Sequence, residues 1–344
     1  IILSNIDRLQ KDYEVQLKRV NEIDSAQRGI FGKIHGEQPR PGFGVLKKNK
    51  VAQKYIPALR HQRSTDEVET LYNDKETIEK ILHEEFEKLY SNNDNAITIP
   101  DIGTFVNIEN IPKVADQMRD EMETDIEIEE LSKVLAKTKS ISSPGWDGFS
   151  YNFMKEFWSD LKYLFKKVID ETFRVEILPP SQLWGNISLI PKGDKDKLYL
   201  KNWRPLTLLP AFYKLVSGAL AKRMSKALPD IVKADQQGFV SGRNISECLR
   251  TTLDLMDHVN KKKMETLLVC IDFRKAFDTL NHKFILNVLR VFGFGPNFVK
   301  WVEILLKKFN MRVVNGGIAG TEFKSESGAR PVSYTHLTLP TKQD

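Results

Sequence analysis

Cysteine is nearly absent from this chain. Cys248 and Cys270 are the two in 344 residues, which excludes a disulfide framework and leaves no Cys-x-x-Cys metal pair. Both fall in apolar patterns, so buried positions and a reducing compartment are expected. Long apolar runs are also missing. No stretch of about 18 apolar residues occurs, so no membrane helix is expected. The first residues lack a secretion signal, and secretion is not expected either. Histidine is scarce, and none of the six, His282 included, has ligand or triad spacing. The chain starts at Ile1 rather than Met. It is expected to be a piece of something longer.

Charge is present in both signs, 52 Lys and Arg against 46 Asp and Glu, and its distribution says more than its balance. From Gly185 to Lys226 nine Lys or Arg face two Asp, a net of +7 that exceeds the +6 of the whole chain. This segment also carries Trp203, Phe212 and Tyr213. A basic face with interleaved aromatics suits a phosphate backbone, where cations supply sequence-independent affinity. A solvated surface would carry the same charges.

At this length the chain can bury a sizeable core in two or three domains. Residues 1 to about 95 read as charged helices broken by the Pro/Gly stretch 36–44. Within them, Ile78, Leu82, Phe86 and Leu89 share one face of a helix over Thr77–Tyr90. Residues 91 to 124 read as a polar linker. A short acidic helix follows over Asp125–Lys137, then a loop, then a helix stacking Phe153, Phe157, Leu161, Phe165 and Val168. Leu183 to Pro191 alternates as a strand. Helices are expected over Phe212–Leu228 and Ile245–Val259. The mixed order of strands and helices indicates an α+β fold.

The most informative stretch is Leu267-Leu268-Val269-Cys270-Ile271-Asp272-Phe273-Arg274-Lys275-Ala276-Phe277-Asp278. Five apolar residues bounded by Thr266 and Asp272 read as a fully buried strand with a helix beyond it. Asp272 would stand at the exposed strand end. There it could hold Mg²⁺ against a triphosphate, or simply cap the helix.

Asp272 to Asp278 resembles the Asp-x-x-Lys-Ala-Phe-Asp signature of reverse transcriptases from non-LTR (LINE-type) retrotransposons. Upstream blocks follow in that family's order. Ser142-Ser143-Pro144-Gly145-Trp146-Asp147-Gly148 is similar to its most N-terminal motif. Leu189-Ile190-Pro191-Lys192 with Asn202-Trp203-Arg204-Pro205-Leu206 is similar to its first finger motif. Asp235-Gln236-Gln237-Gly238-Phe239-Val240-Ser241-Gly242-Arg243 resembles the block before the catalytic strand. The four ordered blocks together make the match specific.

The resemblance implies a right-hand polymerase fragment. It would comprise an N-terminal helical extension and linker over 1–124, fingers over 125–263 and a partial palm over 264–330, with the thumb absent. It implies RNA-directed DNA polymerisation on an RNA template from a DNA primer, using deoxynucleoside triphosphates. Asp272 becomes a catalytic carboxylate and a ligand of Mg²⁺ or Mn²⁺, with the Phe273 carbonyl as a second contact. Lys192 and Arg204 grip the triphosphate, as a point charge and a bidentate fork. Phe277 lies beneath the incoming sugar and helps exclude a 2′-hydroxyl, although core packing would also suit it. Gln237, Gly238 and Arg243 lie near template or primer. Asp278, inside the helix, is expected to hold structure rather than metal. The setting implied is an element ribonucleoprotein in nucleus or cytoplasm, without a membrane.

The sequence departs from the family after Ser327-Gly328-Ala329-Arg330. Pro331 stands where Gln is expected, and no Asp-Asp pair occurs anywhere in the chain. Residues 331–344 resemble nothing in the family and are expected to be a non-native tail. Without the aromatic-x-Asp-Asp hairpin the chain as written is expected to be inactive. A non-catalytic nucleic-acid-binding remnant, a helical scaffold protein and an intron-encoded maturase remain alternatives.

Overall fold

A computed structural model describes residues 55–62, 69–91, 102–139, 142–273, 275–307 and 309–328. They all belong to the second of two compact units, Ile1–Ala52 and Gln53–Asp344. The expectations for residues 1–54 and for the tail 331–344 lie outside the described residues.

The amphipathic helix forms as α1, Lys75–Tyr90, capped by the Asp74 carboxylate, which accepts from the Thr77 amide at 2.7 Å. It buries Ile78, Ile81, Leu82, Phe86 and Tyr90. Ahead of it a small hairpin pairs β1, Leu59–His61, with β2, Thr70–Tyr72. The segment read as a linker contains α2, Asp116–Glu123, which buries Met122. Next come α3, Ile128–Lys137, with a Glu127/Glu130 capping box, then α4, Tyr151–Glu156, and α5, Trp158–Val175. The single aromatic helix expected from the 153–168 pattern is interrupted at Phe157.

The main sheet joins β3, Trp184–Pro191, and β4, Trp203–Leu208, to β5, Phe309–Asn315, and β6, Ile318–Ser325, in the order β4-β3-β5-β6. β3 runs antiparallel to β4 and parallel to β5, and β5 pairs antiparallel with β6. β5 alternates buried and half-buried residues along its length, as a strand with one covered face must. Gly316 and Gly317, at φ 61° and 90°, make its tight turn to β6. Helix α1 packs on β5 and β6. On the chain's own path, α6, Ala211–Ile231, buries Leu215, Val216, Ala219 and Leu220, and Tyr213 donates its hydroxyl to the Leu305 carbonyl at 3.1 Å. Then come α7, Ile245–Lys262, α8, His282–Val291, and α9, Pro296–Leu306. The fold is therefore mixed α+β.

Gly145 shows why the Ser-Pro-Gly-Trp-Asp-Gly block needs glycine. A Cβ there would stand 2.6 Å from the Pro210 nitrogen and 2.7 Å from the Leu209 carbonyl, at the start of α6. Gly145→Ala must drive its methyl group into the Leu209–Pro210 main chain, and about 2 kcal/mol of stability should be lost. A denaturant midpoint within error of the parent protein would refute this.

Three expectations fail. The predicted strand over 267–271 is irregular chain, with Leu267 83% and Ile271 79% exposed. A wholly apolar strand needs pairing on its edges and cover on its faces, and the described sheet offers it neither. Beyond it residues 275–279 form a turn, and helix begins only at His282. Cys248 and Cys270 are exposed rather than buried, because α7 buries none of its residues and the 267–271 segment is uncovered.

Candidate functional site

The β3–β4 hairpin is built by its own polar contacts. The Lys192 amide donates to the Asn202 carbonyl at 2.8 Å, extending the β3–β4 ladder past Pro191. Asn202 Nδ2 donates to the Asp196 carbonyl at 2.7 Å and Trp203 Nε1 to the Lys197 carbonyl at 2.8 Å, which fixes the loop between the strands. Lys192 Nζ donates to the Lys201 carbonyl at 2.7 Å. Arg204 pairs opposite Ile190 and stands exposed on the edge strand β4. The structure thus brings Lys192 and Arg204 onto one hairpin.

The aromatics do not share that face. Trp203, Phe212 and Tyr213 are core residues, 3%, 6% and 3% exposed, because each completes an apolar contact beneath the hairpin or α6. Two of the nine cations are buried as well. Lys214 places Nζ 4.9 Å from the Tyr151 ring centre, and burial holds its pKa below the usual lysine value against the charge of Asp147. Burial likewise raises the Asp147 carboxyl, opposed by the Phe149 amide and Lys214. Arg223 is sequestered by Glu130. Lys195, Lys197, Lys201, Arg204, Lys222 and Lys226 remain exposed.

The 235–243 block is a self-bonded loop. Gln237 Nε2 donates to the Ala234 carbonyl at 2.7 Å, while its Oε1 is buried without a hydrogen-bond partner. The Gly238 carbonyl accepts from Gln236 Nε2 at 3.0 Å. Arg243 donates to the carbonyls of Pro229, Val232, Lys233 and Gln236, at 3.1 Å, 2.7 Å and 2.8 Å for the first, second and last. These include carbonyls freed at the end of α6, so the guanidinium works as a helix C-terminal clamp.

Phe277 sits in the turn 275–279, 39% exposed, with its ring 5.8 Å from that of Phe239 and nearly perpendicular to it. This contact brings the 235–243 loop beside the residue expected under the sugar. Lys275 takes φ 53°, and its carbonyl accepts the amides of Asp278 and Thr279 at 2.9 and 3.2 Å. Asp278 accepts from the Tyr90 hydroxyl at 2.9 Å. Burial raises the Asp278 pKa, countered by Tyr90 and Lys275. The side chain lies in a turn rather than inside a helix.

Asp272 and Phe273 lie in the irregular stretch, with Phe273 76% exposed. A carboxylate and a carbonyl are hard donors that suit a divalent cation. Among the described residues, however, no group of three or more His, Cys, Asp or Glu could hold a metal ion. The residues present do not complete such a site. Sequence reasoning also missed Tyr90, whose hydroxyl ties Asp278 of the turn to α1, and Ser327, whose amide donates to the Tyr90 carbonyl. The one available signal was Tyr90 falling one helical turn past Phe86, on the buried face.

A reverse transcriptase domain, described as RNA-dependent DNA polymerase, matches residues 190–330. The chain is 32% identical over 195 residues to the Transposon TX1 uncharacterized 149 kDa protein of Xenopus laevis, covering 57% of this chain and 15% of that protein. It is 26% identical over 226 residues to the Retrovirus-related Pol polyprotein from type-1 retrotransposable element R1 of Bradysia coprophila, covering 64% and 20%. It is 34% identical over 109 residues to the corresponding R2 polyprotein of Popillia japonica, covering 31% and 14%. The chain is thus similar to reverse transcriptases over residues 190–330 and, in part of its length, to proteins of transposable elements. The chain spans at most 20% of the length of these three relatives. Among the described residues no helix is long and apolar enough to cross a membrane.

Proposed function

We propose that this chain is the fingers and part of the palm of an RNA-directed DNA polymerase that copies the RNA of a non-LTR element from a DNA primer. The observation that carries the reading is the reverse transcriptase match over 190–330, which contains the finger, template and Asp272 blocks in order. Lys192 and Arg204 serve the triphosphate, Asp272 would contribute one carboxylate toward holding a divalent ion, and Phe277 serves the sugar. Gln237 and Gly238 face template or primer, and Arg243 acts by holding their loop. A divalent ion would supply electrostatic stabilisation of the transferring phosphate, and Asp272 needs further carboxylates to hold it. The chain by itself is therefore proposed to bind template without extending a primer.

The second reading, a nucleic-acid-binding remnant, is favoured by the exposed Lys195, Lys197 and Lys201 on the finger loop. Replacing all three with Gln should weaken RNA binding and flatten the slope of log affinity against log salt by about 2 units. An unchanged slope would remove the finger loop from the interface. Deoxynucleotide incorporation on an RNA template, by the longest reading frame that carries this sequence, separates polymerase from remnant. Binding without incorporation would favour the remnant.

A further inference from the structure

Segments far apart in sequence meet at the C-terminal end of α1. Tyr90 is 1% exposed and stacks between Phe86, at 6.4 Å and 17°, and Phe323, at 6.3 Å and 14°. Its carbonyl accepts the amides of Glu326 and Ser327 at 2.8 and 3.2 Å. The Gly328 amide donates to the Leu280 carbonyl at 2.8 Å, His282 Nε2 lies 3.0 Å from the Gly328 carbonyl, and Asn281 bridges Ser327. A Cβ on Gly328, itself at φ 84°, would stand 2.7 Å from the Asp278 carbonyl.

The rings hold the Tyr90 hydroxyl in place as a fixed donor, 2.9 Å from Asp278 Oδ1 and 188 positions away in sequence. A partly buried carboxylate keeps such a donor, because losing it costs desolvation without return. Asp278 also anchors its turn through its own amide, which donates to the Lys275 carbonyl. Phe277, the preceding residue, leaves that turn toward Phe239.

We propose that Tyr90 is a positioning residue for nucleotide selection: through Asp278 it orients the turn that presents Phe277 to the incoming sugar. The proposal rests on the polymerase reading above. It couples a helix lying before the matched domain to the choice between deoxy- and ribonucleotides, although Tyr90 itself touches no substrate.

The test compares Tyr90→Phe, which keeps the stacked rings and removes the hydroxyl, with Asp278→Asn, which keeps an acceptor for it. In the longest reading frame, the ratio of kcat/KM for deoxy- over ribonucleotides should fall about tenfold in Tyr90→Phe, the equivalent of one hydrogen bond to a charged group. Asp278→Ala should match it, the double variant should be no worse, and Asp278→Asn should keep most of the discrimination. Amide exchange at Asp278 and Thr279 should quicken about tenfold in Tyr90→Phe, a readout that needs no activity. Unchanged exchange would overturn the proposal. So would faster exchange with unchanged discrimination, which would leave Tyr90 merely structural. No incorporation by the parent protein would sink the polymerase reading and this proposal with it.

Discussion

Replacing Arg223 with alanine should cost about 3 kcal/mol of stability, the low end of what removing one partner of a buried ion pair costs. The side chain is 7% exposed, on α6. Its Nε donates to Glu130 Oε1 at 2.9 Å and Nη2 to Oε2, a bidentate pair. Nη1 reaches the Met122 carbonyl at 3.0 Å and the Thr124 carbonyl, and Nη2 the Asp125 carbonyl at 2.6 Å. One guanidinium therefore ties α6 to the end of α2 and the start of α3. Alanine strands three carbonyls and a carboxylate. The low end applies because Glu130 keeps 30% of its side-chain surface in solvent and can rehydrate.

The pH dependence has a definite sign. Burial pushes the Glu130 carboxyl up, but the hydrogen bond and charge of Arg223, with the Glu127 amide and Lys226, bring it below its usual value. A depressed folded pKa gives stability that is present above the ordinary carboxylate range and lost as pH falls through the depressed value. Arg223→Ala should flatten that acid limb. Its midpoint should drop by several degrees at neutral pH and by less near pH 3. Equal losses at both pH values would mean that Arg223 contributes packing rather than charge.

In the longest reading frame that carries this sequence, Asp272→Asn should lower deoxynucleotide incorporation by a factor on the order of 100 or more, the scale for deleting one electrostatic stabiliser of a developing charge. The amide keeps the size of the side chain and removes its charge. Because the residue lies on exposed irregular chain, stability should change by no more than about 0.5 kcal/mol. RNA affinity should stay within twofold, since cations elsewhere carry it. A parallel fall in melting temperature and incorporation would instead make Asp272 structural.

Periodicity read most helices and the β3 strand from local sequence alone. α1, α6 and α7 lie where apolar spacing puts them, α3 lies within the short acidic helix expected over 125–137, and the β3–β4 hairpin carries both Lys192 and Arg204. What periodicity could not see was who covers an apolar pattern. The run Leu267–Ile271 and the face of α7 bearing Leu249 and Leu253 have the composition of buried elements, yet both are exposed. Burial is a property of partners, and these partners are not among the described residues. The basic segment misled for the same reason. Trp203 and Tyr213 share its sequence but not its surface, and Arg223 serves Glu130, 93 positions away. Contacts of that range, like the one between Tyr90 and Asp278, leave no spacing to read.

The most direct test of the polymerase reading is RNA-templated incorporation by the longest reading frame carrying this sequence, with and without Asp272→Asn, in Mg²⁺ and in Mn²⁺. The expected result is template-dependent DNA product from the parent protein and at least a hundredfold less from the variant, at unchanged RNA binding. Product of equal yield from both would contradict Asp272 as the catalytic carboxylate, and no product from either would leave nucleic-acid binding as the function.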